Sequence, residues 1–190
     1  TGGLFRVILN ILFVTLFIEG IGAYFIYMDV RGSLPGGTQQ ELFYAMFHAV
    51  SAFCNAGIST LSGNMYDPLV ADKYNLHFWI AMLIIFGGLG FPIVFNYLKL
   101  LHHLLMNGIK ILIGKQKHYI HTPRIINVHT YIVVISTLIL LITGTAFYLF
   151  FEYDNTLGDL PLRGKLANAF LGAVTPRTAG FNVADMATLA

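Results

Sequence analysis

Three runs of mostly apolar residues, at 4–28, 76–98 and 125–151, dominate this chain. Each is long enough to cross the ~30 Å hydrocarbon layer of a bilayer, which takes about 20 such residues in a helix. Composition agrees: 56% of the side chains are hydrophobic and 11% are charged, whereas a soluble domain carries roughly a quarter charged residues. Sixteen Phe and ten Tyr exclude an intrinsically disordered chain. The first run is no signal peptide, because it far exceeds a short apolar core and no small-residue cleavage site follows it. The lone cysteine, Cys54, permits no intrachain disulfide, so a stapled secreted scaffold is ruled out. The expected class is an all-α membrane protein.

Two shorter apolar runs follow the first and third spans. Residues 39–54 read as a helix too short to cross, ending in Cys54-Asn55-Ala56-Gly57-Ile58, and residues 164–175 read as another, ending in Arg177-Thr178-Ala179-Gly180-Phe181. Charge then orients the chain, since Lys and Arg are retained on the cytoplasmic side. The segment 99–124 carries Lys99, Lys110, Lys115, Lys117 and Arg124 and no acid, while Asp29, Glu41, Asp67, Asp72, Glu152, Asp154, Asp159 and Asp185 fall on the other side. The segment 99–124 is therefore expected to be a cytoplasmic basic linker, with both half-helices entering from outside. A nucleic-acid patch fits poorly, because these basic residues directly join two membrane spans.

The chain also repeats itself. Residues 16–24 align with 140–148 at an offset of 124, and Asn55-Ala56-Gly57-Ile58 falls on Thr178-Ala179-Gly180-Phe181 at an offset of 123, so one residue separates the two registers. The expected organisation is a pore repeat at 1–98 (span 4–28, pore helix 39–54, loop 54–60, span 76–98), the linker 99–124, and an incomplete repeat at 125–190 (span 125–151, pore helix 164–175, loop 177–182). Parallel repeats of this kind imply units set around an axis along the membrane normal. The unfinished second unit and the start at Thr1 suggest a piece of a longer polypeptide.

Irregular backbone at membrane depth is tolerated only where it is buried in protein or lines a water-filled path. A cation path supplies the reason for two such loops, because a ring of backbone carbonyls can replace an ion's hydration shell. Gly57 and Gly180 can reach backbone angles closed to other residues and so point consecutive carbonyls the same way. The half-helices aim their partially negative C-terminal ends at the same place. At the start of the first, Thr38-Gln39-Gln40-Glu41 fits a capping box, in which threonine and glutamate satisfy each other's backbone amides.

These residues resemble the Trk/Ktr/HKT superfamily of potassium transporters. The stretch from His48 to Gly57 resembles the second of that family's four pore loops and the stretch from Thr175 to Asn182 the third; Gly87-Gly88-Leu89-Gly90-Phe91-Pro92 is similar to its second-repeat outer span, and His121-Thr122 fits its bacterial Ktr-like members. Cys54 stands where Asn or Ser is frequent in the family, and Ile58 where Phe is. The resemblance implies a pseudo-fourfold, potassium-channel-like pore in a bacterial inner membrane. It implies a filter at Cys54, Asn55, Ala56, Gly57, Ile58, Arg177, Thr178, Ala179, Gly180 and Phe181, with K+ held by the carbonyls of Asn55, Ala56, Gly57, Thr178, Ala179 and Gly180. It further implies potassium, with sodium a second substrate to test, no organic cofactor, a homodimer, and a cytosolic nucleotide-binding regulatory subunit of the TrkA/KtrA type.

Other features weigh less. Glu19 is an ionisable group inside a span, where such side chains are costly, and a structural bond to a neighbouring helix is the favoured use. Arg177 is expected to brace its loop, since a cation lining the path would repel potassium. His102, His103, His118 and His121 invite a metalloenzyme as the alternative, but no carboxylate or cysteine accompanies them and no nucleophile motif occurs, so no enzyme is expected.

Overall fold

The computed structural model describes residues 2–112 and 128–184. Among them are six α-helices, one 3₁₀ turn and no strand: α1 (Gly2–Val30), α2 (Gly37–Phe53), the 3₁₀ turn Asn64–Tyr66, α3 (Tyr74–Leu89), α4 (Phe91–Leu112), α5 (Val128–Glu152) and α6 (Leu162–Val174). The helices α1 and α5 are long and apolar enough to cross a membrane, and α3 is a shorter apolar helix. Most of the α1 and α5 surface is exposed apolar side chain, including Leu12, Phe13, Leu16, Leu140, Ile142 and Phe147, as suits contact with lipid or further helices. The stretch 76–98 divides at Gly90, which adopts φ +79° between α3 and α4. Pro92 has no N–H to donate to the Gly88 carbonyl one turn back, and Gly90 accepts the left-handed turn that ends α3.

The described residues divide into two compact units, one holding everything up to Gly88 together with residues from Leu140 onward, the other Leu89–Ile139. In the first, α1 packs along α2 and meets α3 where Leu83 fills the notch left by Gly22 and where Phe25 stacks on Trp79 at 4.0 Å. On the other side, α3 runs against α6: His77, fully buried, donates from Nδ1 to Asn168 Oδ1 at 2.6 Å, Tyr74 covers Gly164, and Phe78 stacks on Phe170. The α5–α6 packing repeats the use of small residues, with the Tyr148 ring seated on Gly172 and Gly144 facing Ala173.

Both short helices bury one stripe. In α2 it is Glu41, Tyr44, Ala45, His48, Ser51 and Ala52, and in α6 it is Gly164, Lys165, Asn168, Ala169 and Leu171, the i, i+3, i+4, i+7 spacing of an amphipathic helix. The charged members, 124 positions apart, have opposite sign and one task. The Glu41 carboxylate accepts the backbone N–H of Gly32, and Lys165 donates to the Tyr153 carbonyl at 2.9 Å while lying over the Tyr153 ring at 3.7 Å. Each ties its half-helix to the turn before it. The capping box is thereby corrected: α2 starts at Gly37 with no side-chain cap bond, because Glu41 is engaged by the preceding turn instead.

In the second unit, Asn96 of α4 donates to Thr130 Oγ1 of α5 at 3.0 Å, and the Asn107 amide donates to His103 Nδ1 at 3.0 Å within α4. The basic segment 99–124 lies partly outside the described residues.

Candidate functional site

Each half-helix delivers its C-terminus to a loop of the same construction. In the first, Asn55 (φ +53°) and Gly57 (φ +67°) are left-handed with Ala56 between them; in the second, Thr178 (φ +70°) and Gly180 (φ +71°) are left-handed about Ala179. The four positions correspond at the single offset of 123. A left-handed Asn or Thr carries a strain that is retained only where surrounding contacts impose it. Its occurrence twice, two residues before a left-handed glycine, marks a specified backbone path.

The two loops meet. A Cβ added to Gly57 would overlap the Ala179 carbonyl oxygen, and one on Gly180 would lie 3.3 Å from Gly57 Cα and 3.7 Å from the Ala56 oxygen. The carbonyls of Ala56 and Ala179 thus lie against the opposite loop's glycine. Beyond the glycines, the Met65 N–H donates to the Asn182 carbonyl at 3.1 Å, tying together the segments that leave the two loops. Phe181 is fully buried, its ring centroid 6.2 Å from that of His48 on the first half-helix, whereas its counterpart Ile58 is 59% exposed.

Side chains from the half-helices hold these loops. Ser51 Oγ donates to the Ile58 carbonyl at 2.8 Å and accepts the Ile58 N–H at 2.9 Å. Thr175 Oγ1 reaches the Phe181 carbonyl at 2.8 Å and the Leu171 carbonyl at 3.0 Å. His48 is fully buried and its protonation pattern follows from its partners: the Tyr44 carbonyl, 2.8 Å away, can only accept, so Nδ1 carries hydrogen, and Nε2 accepts the Ser59 hydroxyl at 3.0 Å. Ser59 Oγ in turn accepts the Leu61 N–H at 3.1 Å. From the far side, α3 approaches so closely that a Cβ on Gly87 would overlap the Phe53 carbonyl, and Gly88 faces the Asn55 carboxamide.

Backbone of this kind, set at the negative ends of two half-helices, offers neutral carbonyl oxygens to a cation. The family model described as "TrkH: Cation transport protein" matches residues 4–190. The chain belongs to the TrkH family. TrkH-like relatives include the Ktr system potassium uptake protein B of Vibrio alginolyticus, 35% identical over 95% of this chain and 35% of that protein, and the protein of the same name from Bacillus subtilis, 30% identical over 99% and 37%. The potassium/sodium uptake protein NtpJ of Enterococcus hirae is 31% identical over 96% of this chain and 36% of that protein. The chain spans about a third of the length of these relatives.

Of the residues expected at the site of this TrkH-family chain, Ala56 and Gly57 are brought against Ala179 and Gly180. Asn55 and Thr178 set the loop curvature, Cys54 ends α2 as an exposed residue, and Arg177 is half-buried with its N–H on the Val174 carbonyl at 3.1 Å. The roles of Ser51, Thr175, His48 and Ser59 are not legible in the sequence. For the first two it holds only the one-residue slip between the offsets of 124 and 123, which the structure locates between the half-helix and the loop. Glu19 is buried, 8% exposed. Among the described residues no three of His, Cys, Asp and Glu gather as metal ligands, and His118 and His121 lie outside them.

Proposed function

We propose that this chain forms part of a membrane pathway for potassium uptake, in which dehydrated cations pass between backbone carbonyls of glycine loops that enter the membrane from outside. One observation carries the reading: two half-helices end in loops with the same left-handed pair, Asn55 with Gly57 and Thr178 with Gly180, and the loops meet at their glycines. The carbonyls of Asn55, Ala56, Gly57, Thr178, Ala179 and Gly180 are the donors, within a filter running over Cys54–Ile58 and Arg177–Phe181. Neutral oxygens suit transport because a fixed carboxylate would hold the ion too firmly to release it. Supporting potassium as substrate are the relatives named for potassium uptake, and the relative named for potassium and sodium makes sodium the competing ion to test.

The surrounding assembly in this proposal is a pseudo-fourfold ring of such loops in a bacterial inner membrane, in a homodimer served by a cytosolic nucleotide-binding subunit. Residues 1–98 and 125–190 supply two of its repeats, and the basic segment 99–124 lies in the cytoplasm, where it is one docking surface for that subunit. The membrane potential drives entry, at about 2.3 kcal/mol per charge per 100 mV. The test is rubidium uptake and potassium-limited growth in cells stripped of their own potassium systems, with the full-length protein and its Gly57→Ser and Gly180→Ser variants. A raised apparent potassium constant or newly admitted sodium in the variants upholds the filter; uptake unchanged in both removes it.

A further inference from the structure

The two loops differ by one residue in length, yet the half-helices hold them by the same pair of contacts. Ile58 lies seven positions after Ser51, and Phe181 six positions after Thr175. In the first loop the Ser51 carbonyl accepts the N–H of Ala56, five positions on, at 2.8 Å; in the second the Thr175 carbonyl accepts the N–H of Ala179, four positions on, at 3.0 Å. The extra residue is absorbed at that turn. The hydroxyl of the same residue then takes the carbonyl of the position just after the glycine, Ile58 at 2.8 Å and Phe181 at 2.8 Å. One contact pair preserved across an insertion is difficult to attribute to the local run of the chain alone.

We infer that Ser51 and Thr175 are positioning residues that end the carbonyl row at the glycine of each loop, and so set how tightly the row fits its ion. This rests on the filter reading above. A carbonyl engaged by a hydroxyl is turned from the ion path, so Ile58 and Phe181 add no oxygen to the row and the carbonyls before them are fixed in direction. The grips differ in strength. Ser51 uses both its donor and its acceptor on Ile58 and is buried, while the single hydroxyl proton of Thr175 is shared between the Phe181 and Leu171 carbonyls. Loss of the hydroxyl therefore matters more at residue 51.

The test uses the full-length protein in potassium-uptake-deficient cells, measuring rubidium uptake, its inhibition by sodium, and the amount of protein in the membrane. Ser51→Ala raises the apparent rubidium constant about tenfold, equivalent to ~1.4 kcal/mol, and makes uptake more sensitive to sodium; Thr175→Val, which removes only the hydroxyl, shifts both in the same direction by less. Ser51→Thr and Thr175→Ser keep the hydroxyl and stay close to the parent in both measurements. Ion preference separates this role from a merely structural one, which lowers membrane abundance and leaves the rubidium-to-sodium ratio of the remaining protein unchanged. The inference is overturned if Ser51→Ala and Thr175→Val keep the parent ratio while Gly57→Ser changes it, or if the hydroxyl-retaining swaps are as impaired as the deletions. If the glycine variants also leave the ratio unchanged, it is the filter reading that falls.

Discussion

At the scale of single residues, three glycines carry different constraints. Gly57 is left-handed and has the opposite loop's Ala179 oxygen where a methyl would go; Gly180 is left-handed with 3.3 Å of clearance; Gly87 has ordinary helical geometry but lies against the Phe53 carbonyl. The left-handed conformation alone costs a non-glycine residue about 1–2 kcal/mol. Gly57→Ala therefore adds an overlap with backbone to that strain, and is expected to lower the thermal midpoint of the purified protein and its rubidium uptake more than Gly180→Ala. Equal effects at the two sites would contradict the asymmetric contact. Gly87→Ala should disturb transport through the end of α2 with no change to any loop residue, measurable as lost uptake. The sequence made Gly57 and Gly180 visible through their repetition, whereas the need for glycine at 87 arises from a carbonyl 34 positions away in the chain.

At the scale of elements, a half-helix is positioned by its anchors as much as by its stripe. Replacing Glu41 with alanine leaves the Gly32 N–H without its acceptor and should destabilise by about 1–3 kcal/mol, while Glu41→Gln keeps an oxygen in place and should recover most of the loss. Thermal unfolding in detergent distinguishes the two, and equal loss in both variants would mean that the bond to Gly32 contributes little. The capping motif at Thr38 to Glu41 was legible as four residue types, but the same carboxylate had a second suitor in the preceding turn. Local pattern does not decide between two backbone amides that one oxygen can reach. Hydropathy alone reads 76–98 as one span, and it is Pro92 with a left-handed Gly90 that divides it. Gly90→Ala meets only an ordinary contact with Pro92 Cδ at 3.9 Å and should cost the backbone strain, about 1–2 kcal/mol, read as a small drop in midpoint.

At the scale of the whole molecule, the two repeats are joined by contacts that no repeat pattern displays. His77 of α3 donates to Asn168 on α6, the second half-helix, and Met65 donates to Asn182 beyond the second loop. A double-mutant cycle of His77→Phe with Asn168→Leu should yield a coupling energy of about 0.5–3 kcal/mol, the range for directly bonded neighbours; additive losses would show that the bond does not join the repeats. Orientation is open to a separate measurement. In a Cys54→Ser background, the Asp159→Cys variant should react with a membrane-impermeant thiol reagent added outside and the Lys115→Cys variant should not, and the reverse pattern would invert the topology.

Hydrophobic run length, charge placement and internal repetition determined the membrane class, the two half-helices and the glycine loops, because burial in lipid and backbone freedom at glycine depend on residue type and spacing within a short window. The meeting of Gly57 with Gly180, the hydroxyl grips of Ser51 and Thr175, the His48–Ser59 bond and the seat of Gly87 on Phe53 were decided only by tertiary structure. Each depends on which of several competent donors, acceptors or small residues is brought within 3–4 Å by packing, and common residues such as serine, threonine and glycine do not disclose that until the helices are in place.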